Sequence, residues 1–599
     1  MTLKRLSARI LALALSLSVT AGTVFADTWY LENGDITVDT GSGTQMISQG
    51  GSAPQEDLAP VITQSNPDTE TPNSVTITGG NTANVTIENV NINADSGPGI
   101  DVQGSTTANI TAQGANSVKA TENHSAAIHV SEGKLNLNTT EGSSIAAGAQ
   151  GSFKDGAGIG SHQDEDMSGE INLSGKGSVN AESSGGAGIG SGNDGNMTGT
   201  ITTGAGTVTA ESRSGAGIGS GAIGQMSGSI TTGSGEVTAK AFGGAGIGSG
   251  YHGDVTGTII TGSGKVTAVS YQGAGIGSGG SHGNMSGTII TGEGVVDAAS
   301  SVGAGIGSGA FGQMSGDITT GSGEVFADSI TGAGIGSGSG GDMTGSVTTG
   351  SGPVTAESGL GAGIGSGSSY PNHMEFGGTP GDMTGTVTTG SGKVTATSTN
   401  GAGIGAGNYG TMKGTVNIAE DSGVTAESAQ ADAIGGTEGK VDPKAQLNVE
   451  KGAWINGQTF DSPKTILGQQ IPEAIPAKAP SAPSAPSDPA PAAPAARKSF
   501  YSRDLYWTLS DRNAVVCTEN LEGGVLTLTA DREDAQLHFT AYSLRQLKNQ
   551  GVETVIFRTA GLESSFDLAS VLDQGDLLLI HAGGRAELRL GGEVSDLLK

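Results

Sequence analysis

A cassette of about 29 residues recurs between residues 155 and 436, and glycine, serine, threonine and valine make up most of it. The isoleucine of its GAGIG core recurs at Ile159, Ile189, Ile218, Ile247, Ile276, Ile306, Ile335, Ile364 and Ile404, with a degenerate echo at Ile434, and the gaps are 30, 29, 29, 29, 30, 29, 29, 40 and 30 residues. Such a period is typical of a stacked array, in which each repeat buries its apolar face against its neighbours. The repeat therefore predicts an elongated repeat fold rather than a conventional globular core.

Within one cassette, three short stretches alternate with a period of two residues. Met197 and Ile201 share one face of the first stretch, Val208 lies on the corresponding face of the second, and Ile218 on that of the third. Three strands and no helical period predict one turn of a three-sided coil. We expect an all-β, right-handed parallel β-helix with three strands per coil, followed by a small C-terminal α+β module.

Composition divides the chain into six segments. A positive start, an apolar stretch and small residues before Asp27 are the pattern of a cleaved secretory signal. A run rich in proline, alanine and serine is typical of a semi-rigid spacer. The predicted segments are a signal peptide (1–26), an N-terminal cap with irregular first coils (27–73), irregular β-helix coils (74–154), the regular β-helix (155–457), a Pro/Ala-rich linker (458–497) and a small α+β domain (498–599).

Charge and cysteine content narrow the function classes. The formal net charge is −30, and no basic stripe is present to neutralise phosphates, which excludes nucleic acid as the expected partner. Cys517 is the single cysteine, so no internal disulfide can form and stacking has to supply the stability. After the signal, no segment is apolar enough to cross a bilayer. We expect a secreted or extracellular protein, with association with the cell surface as an alternative to free release.

A row of polar residues, one in each cassette, comes directly before the recurring methionine. Its members are Asp166, Asn196, Gln225, Asp254, Asn284, Gln313, Asp342 and Asp382. Stacked amides can hydrogen-bond along the axis, which favours a structural ladder. The alternative is calcium, for which Asp254, Asp342 and Asp382 are the candidate ligands, because calcium prefers six to eight oxygen ligands. Since no EF-hand loop is present, no cofactor is expected, with calcium as the alternative.

The turn after the GSG of each cassette varies most, and aromatic and imidazole side chains collect there. An insertion in the turn explains the gap of 40 residues. Insertions in solenoids map to loops on one face, often the binding face, and aromatic rings can stack on sugar rings. The candidate ligand-binding residues are Tyr251, His252, Phe311, Tyr370, His373, Phe376 and Tyr409.

Signals for catalysis are few. A glycosidase needs two carboxylates at a defined separation, and the only dense acidic cluster is Asp164, Glu165 and Asp166. In the C-terminal module Cys517 and His538 each stand alone. We therefore expect no enzyme and name no catalytic residue.

The strings GAGIGSG, G-x-M-[ST]-G-x-[IV]-x-T-G and [KE]-V-T-A, over residues 75 to 440, resemble a repeat of secreted and surface proteins of Firmicutes. The usual form there is GAGIGGG with ITITGGTVTA. Many of these proteins are named as carbohydrate-binding-domain or β-strand-repeat proteins of the right-handed β-helix type. This chain has GSG in place of GGG and lacks an LPxTG sorting signal.

The resemblance implies a non-enzymatic secreted or cell-surface protein that binds polysaccharide or acts as an adhesin-like display rod. A purely structural stalk or a protein-binding adhesin is the alternative. A polysaccharide lyase or glycoside hydrolase is the third hypothesis.

Overall fold

The computed structural model describes residues 26–475 except 123, 150–154, 369–379 and 438–439. Beyond these it describes residues 505–508, 517–522, 524–530, 535–539, 547, 552–559, 562–571, 577–582, 585–590 and 593–595. Residues 28–467 form a parallel β-solenoid of about 15 turns with three sheets along its length. The all-β solenoid with three strands in each coil is confirmed.

Sheet 1 contains the isoleucine and glycine of each GAGIG core. It has 16 strands, and the two strands at its N-terminal edge are antiparallel. In spatial order they are Gln55–Glu56, Met46–Gln49, Ile36–Asp39, Val75–Thr78, Ile100–Val102, Ile128–Val130, Ile159–Gly160, Ile189–Gly190, Ile218–Gly219, Ile247–Gly248, Ile276–Gly277, Ile306–Gly307, Ile335–Gly336, Ile364–Gly365, Ile404–Gly405 and Ile434–Gly435.

Sheet 2 follows the methionine of each cassette. It also has 16 strands, of which only the last is antiparallel to its neighbour. They are Thr28–Tyr30, Val61–Thr63, Thr82–Glu88, Thr107–Gln113, Lys134–Thr139, Glu170–Gly175, Thr200–Thr203, Ser229–Thr231, Thr258–Ile260, Thr288–Ile290, Asp317–Thr319, Ser346–Thr348, Thr386–Thr389, Thr415–Ile418, Gln446–Val449 and Lys464–Leu467.

Sheet 3 contains the VTA segment of each cassette and has 14 strands, the last of them antiparallel. They are Asn91–Ala94, Ala115–Ala120, Ser144–Ala149, Ser178–Ser183, Thr207–Ser212, Val237–Ala241, Val266–Ser270, Val296–Ser300, Val325–Ser329, Val354–Ser358, Val394–Ser398, Gly423–Ser428, Trp454–Ile455 and Gln458–Thr459. A short 3-10 helix, Leu31–Asn33, and a short α-helix, Gln470–Ala474, lie near the two ends.

The coils stack in register, so that each core residue pairs with its equivalent one coil away. Ile189 pairs with Ile218 in sheet 1, and Val208 pairs with Val237 in sheet 3. A continuous row of single β-bridges joins the methionines, from Met167 to Met412, with Val255 taking one place. All of these side chains are buried. The predicted isoleucine, valine and methionine ladders are therefore the core of the rod.

Buried hydroxyl groups supply a second set of ladders inside the coil. Ser191 Oγ donates to the carbonyl oxygen of Gly195 at 2.7 Å and accepts the N–H of Gly221 in the next coil at 3.0 Å. Thr203 Oγ1 accepts the N–H of Gly233 in the same way at 3.1 Å. A buried hydroxyl is costly unless it is hydrogen-bonded, and here each one also satisfies a backbone group.

The glycines of the GAGIG core are required by close backbone contact between coils. Gly219 has a φ of 141°, and a Cβ atom there would lie 1.7 Å from the carbonyl oxygen of Gly248. A Cβ at Gly217 would lie 2.7 Å from the carbonyl oxygen of Gly246. The segment is buried, so it is packed against backbone and is not an open face for a partner.

Antiparallel strands cover part of the sheet edges at each end of the solenoid. At the N-terminal end Met46–Gln49 folds back on Ile36–Asp39, and at the C-terminal end Lys464–Leu467 folds back on Gln446–Val449. Ile466 and Ile471 are buried there. The strands at the N-terminal end cover the edge of sheet 1, and those at the C-terminal end cover the edges of sheets 2 and 3, which a parallel stack otherwise leaves unpaired.

The described part of the C-terminal region forms two further sheets. One contains Leu505–Thr508, Ala535–Phe539, Leu577–Ala582, Arg585–Leu590 and Glu593–Ser595; the other contains Cys517–Glu522, Val525–Ala530, Thr554–Thr559 and Leu562–Asp567. A helix follows at Leu568–Val571. The sequence of residues 542–550 predicts a helix for this α+β module, and of this stretch the structure describes only Leu547.

We predict that Gly219→Ala destabilises the rod, because its Cβ atom would meet backbone rather than a side chain that can move. The expected cost is about 2 kcal/mol or more, from the clash and the unfavourable φ together. Gly423→Ala is the matched control, since a Cβ there meets nothing within 4 Å. Thermal unfolding by circular dichroism, with hydrogen exchange of the neighbouring coils, checks both; equal stability of the two variants would contradict the packing described here.

We also predict that truncation after Gly457 produces a chain that self-associates. The loss of Gln458–Thr459 and Lys464–Leu467 uncovers two strand edges. Truncation after Ile475 keeps these strands and is expected to leave the chain monomeric. Light scattering of the two shortened chains distinguishes the outcomes, and association of both would show that the capping strands are not what prevents it.

Candidate functional site

The polar row that precedes the methionines forms a continuous ladder along the rod. In every step the side-chain oxygen of one residue accepts the backbone N–H of its equivalent in the next coil. The steps with their N···O distances are Asp166 to Asn196 (2.8 Å), Asn196 to Gln225 (2.9 Å), Gln225 to Asp254 (2.9 Å), Asp254 to Asn284 (2.7 Å), Asn284 to Gln313 (2.9 Å), Gln313 to Asp342 (3.2 Å) and Asp342 to Asp382 (2.7 Å).

This geometry explains why Asp, Asn and Gln exchange in the row. The three residue types share a side-chain oxygen that can accept a hydrogen bond, and the ladder needs nothing else. Of the calcium candidates, Asp342 and Asp382 lie in adjacent coils, and Lys413 forms an ion pair with Asp382. Asp254 lies three coils away from Asp342 along the same row. One oxygen of each of these three carboxylates accepts a backbone N–H. The other oxygen of Asp382 pairs with Lys413.

The variable turn forms a second row along one corner of the rod, and its residues adopt left-handed backbone conformations. Positive φ values recur in this turn at Asp164 (59°), Asp194 (61°), Ile223 (68°), His252 (65°), His282 (75°), Phe311 (59°), Gly340 (73°) and Tyr409 (67°); in the coil of His282 the preceding residue, Ser281 (58°), has a positive φ as well. We call these residues the turn row. From Asp164 to Gly340 consecutive members lie in adjacent coils, as the hydrogen bond from Phe311 N–H to the carbonyl oxygen of Ser339, next to Gly340, shows; Tyr409 lies two coils beyond Gly340.

The turn row brings several of the predicted binding residues together. Tyr251 and His252 are neighbours in edge-to-face contact, with ring centroids 4.1 Å apart, and the ring of His282 lies 5.5 Å from that of Phe311. Tyr251 also lies against Gly243, where a Cβ would be 3.3 Å from the tyrosine ring. Tyr409 belongs to the same row but lies farther along the rod, 48% exposed, with Lys440 Nζ 5.8 Å from its ring centroid.

A stacked pair on the preceding corner extends this aromatic surface. The rings of Phe242 and Tyr271, which occupy equivalent positions in successive coils, are 4.9 Å apart and nearly parallel at 11°. The residue after each ring hydrogen-bonds to the segment just before the turn row: the carbonyl oxygen of Gly243 accepts the N–H of Gly280, and that of Gln272 accepts the N–H of Ala310. We call Phe242, Tyr251, His252, Tyr271, His282 and Phe311 the aromatic edge. The insertion residues Tyr370, His373 and Phe376 lie outside the described residues.

A different cluster lies where the irregular coils meet the regular ones. His129 is 8% exposed, and its Nδ1 and Nε2 both donate, to Asp101 Oδ1 at 2.7 Å and to Glu165 Oε2 at 2.9 Å. The ring of His162 stacks on that of His129 with centroids 3.9 Å apart and planes at 9°. Asp101, His129, His162 and Glu165 are the junction cluster.

The contacts of the junction cluster separate the proton affinities of its two histidines. Burial opposes charge on His129, but the two carboxylate hydrogen bonds raise its pKa to about 9. Burial and the charge of His129 lower the pKa of His162 to about 4, and its Nδ1 accepts the N–H of Ala126. Burial opposes ionisation of Glu165, but hydrogen bonds from His129 and Ser131 lower its pKa to about 2. The cluster therefore holds an imidazolium beside a neutral imidazole.

Sequence reasoning did not find the junction cluster, although a signal was present. His162 and Glu165 occupy two positions that are glycine in each of the eight later cassettes, beginning with Gly192 and Gly195. A Cβ at Gly192 would lie 2.0 Å from the carbonyl oxygen of His162, and a Cβ at Gly195 equally close to that of Glu165. The first cassette, which stacks on an irregular coil, carries side chains at both positions.

A second buried histidine lies in the C-terminal region. His581 hydrogen-bonds with Thr559 Oγ1 at 2.9 Å and with Ser564 Oγ at 2.6 Å, and burial lowers its pKa to about 4. Both ring nitrogens are engaged by hydroxyl groups, and the ring is fully buried against Phe557. This histidine is part of the core of that region.

Together the sheets and rows define a parallel β-solenoid with a polar ladder, an aromatic edge and a junction cluster. Comparison of the chain with protein-family models, with curated proteins and with solved structures found no match. Among the described residues, no helix is long and apolar enough to cross a membrane.

We predict that the polar ladder depends on the acceptor oxygen and not on charge. Asp342→Asn keeps the acceptor for the N–H of Asp382 and is expected to unfold like the unmodified protein, whereas Asp342→Ala should cost about 1 kcal/mol. Thermal unfolding with and without calcium measures both. If calcium binds here, both variants instead lose a calcium-dependent stabilisation, and that result would replace the ladder by an ion site.

Proposed function

We propose that this protein is an exported, non-enzymatic β-helical rod that binds a polysaccharide along its aromatic edge. The observation that carries the proposal is the left-handed conformation of the turn row. Glycine adopts this conformation at little cost, as Gly340 does, whereas other residues pay about 1 kcal/mol or more. Ile223, His252 and Phe311 nevertheless occupy it, so the row maintains backbone strain at positions that project side chains from a corner.

The chemistry of the aromatic edge fits sugar rings. Flat aromatic faces can cover the apolar C–H faces of a pyranose, while Tyr and His supply hydrogen-bonding groups at the ring edges. Phe242 is 51% exposed in a chain with few aromatic residues, yet it stacks with Tyr271 on this corner. The edge thereby combines adaptable polar groups with a rigid apolar surface, which is the usual composition of a ligand site.

The direction of the edge favours a polymer over a small ligand. Its rings belong to successive coils, which are about 4.8 Å apart, so contacts repeat along the axis of the rod. A chain molecule that lies along the axis could contact several coils at once, and each further contact would add to the avidity. Tyr409 continues the same row beyond the insertion, and in the sequence the predicted residues Tyr370, His373 and Phe376 fall between Gly340 and Tyr409.

The charge of the protein indicates the class of polysaccharide. A net charge of −30 repels a polyanion such as a polyuronate, particularly at low ionic strength. We therefore favour a neutral polymer. The secretory pattern of residues 1–26 and the resemblance to Firmicutes surface proteins support a polymer outside the cell as the ligand.

Binding to a glycan array tests the proposal with the full chain and with Phe311→Gly/Tyr409→Gly. Glycine suits the backbone at both positions, so the double variant should be as stable as the unmodified protein or more stable by about 1 kcal/mol. Its affinity for the bound polysaccharide should fall at least about tenfold, because two ring faces are lost. A second variant, Tyr370→Ala/Phe376→Ala, tests the insertion.

The matched control is Ile290→Thr, which removes an exposed apolar side chain from the outer face of sheet 2 and introduces the threonine found in the adjacent coil, at Thr319. It should bind like the unmodified protein. Absence of binding to any glycan, together with capture of a protein partner that the aromatic-edge variants lose, would favour the protein-binding stalk. Turnover of a polysaccharide would contradict the non-enzymatic part of the proposal.

A further inference from the structure

We propose that the junction cluster is a binding site for a divalent transition-metal ion, with His129, His162 and Glu165 as its ligands. Each of these residues offers one ligand atom, and the three atoms lie within 4.8 Å of one another. Among the described residues, this is the only group of three or more His, Cys, Asp and Glu side chains that meets this geometry. The inference does not depend on what the aromatic edge binds.

The donor set selects the class of metal. Two imidazoles and a carboxylate suit zinc and its neighbours, whereas calcium and magnesium prefer all-oxygen sites. Zinc bonds of about 2.0–2.1 Å in a tetrahedral site place ligand atoms about 3.4 Å apart. His129 Nε2 and Glu165 Oε2 are already 2.9 Å apart, so the ion would take the place of the proton between them, and that proton would pass to solvent.

The surroundings of the cluster orient the ligands as they do in protein metal sites. Asp101 Oδ1 accepts the Nδ1–H of His129 at 2.7 Å, which fixes the ring and leaves Nε2 facing Glu165. A carboxylate in this role is the common outer partner of a metal-binding histidine. The backbone N–H of His162 donates to Glu165 Oε2 at 3.1 Å, so the carboxylate is positioned as well.

His162 would have to give up an existing contact to bind the ion. Its Nδ1 accepts the N–H of Ala126 at 3.1 Å, so that lone pair is already engaged, and its ring stacks on that of His129. Coordination therefore requires the ring to rotate and to give up one hydrogen bond to backbone. The side chain of Glu165 is 38% exposed, which leaves an open side for the rotation and for a water molecule as the fourth ligand.

The position of the cluster assigns a role to the ion. Asp101, His129 and Gly160 occupy the same place in three successive strands of sheet 1, and His162 and Glu165 follow the last of these strands. An ion held by His129, His162 and Glu165 would join two coils directly and a third through Asp101. This link lies where the irregular coils meet the uniform ones. In the next cassette the equivalents of His162 and Glu165 are Gly192 and Gly195, where a Cβ atom would clash with backbone.

Isothermal titration of the full chain with zinc, after chelation and without a histidine tag, tests the proposal. We expect one zinc ion per chain and an affinity that falls at least about 100-fold in His162→Ala and in Glu165→Gln, since each removes one of three protein ligands. Asp101→Asn should weaken binding about tenfold, because its partner is an orienting group. Hydrogen exchange should show zinc-dependent protection of strands Ile100–Val102 and Ile128–Val130 in the unmodified protein.

His252→Ala and His282→Ala are the matched controls, because each removes an exposed imidazole from the aromatic edge. They should bind zinc like the unmodified protein. Glu165→Gln retains a hydrogen-bond acceptor for His129 and for the His162 N–H, and its circular dichroism should show an intact solenoid. The proposal is overturned if the unmodified protein binds no zinc, or if Glu165→Gln and His162→Ala bind it with unchanged affinity.

Discussion

Direct contact between the backbones of successive coils is the constraint on which this structure depends. At Gly190, Gly219 and Gly248 the next carbonyl oxygen occupies the place of a side chain, and the strand there is only two residues long. The coil can close with so little apolar material because these segments need no side-chain layer between them. The same close packing of backbone on backbone thus accounts for both the abundant glycine and the low aromatic content of the chain.

Polar atoms inside and beside the coil follow the same logic of repetition. Serine and threonine hydroxyl groups bind backbone groups of the next coil, and the ladder from Asp166 to Asp382 binds backbone N–H groups outside the core. A single hydrogen bond of this kind contributes little to the free energy of unfolding, but the same bond with the same geometry recurs in nearly every coil. The stability of the rod is therefore distributed along its length instead of being concentrated in one core.

Much of the fold could be predicted because the period of the sequence is the period of the structure. The alternation around Ile201 and Val208 identified the inward faces, and the spacing of Met197 and its equivalents identified a buried row. The left-handed turn row could not be predicted, because Ile223 and Phe311 are residues that rarely adopt that conformation. It results from the shape of the complete coil, which overrides local preference.

The junction cluster was harder to predict for a related reason. Asp101 and His129 lie in coils that lack the regular cassette, so no periodicity aligned them with His162 before the strands were paired. The replacement of two glycines by His162 and Glu165 was visible in the sequence, but its meaning required the distances to the next coil. A departure from the repeat, such as His162 in place of glycine, can be interpreted only when the structural reason for the glycine is known.

The uniformity of the regular coils has an evolutionary consequence. Each regular coil presents nearly the same surface to both neighbours. Duplication or deletion of one whole cassette would therefore preserve the contacts between coils and leave the antiparallel strands at the two ends unchanged. Such a change alters the reach of the molecule in increments of about 4.8 Å. Length is then a trait that recombination within the gene can adjust without redesign of the protein.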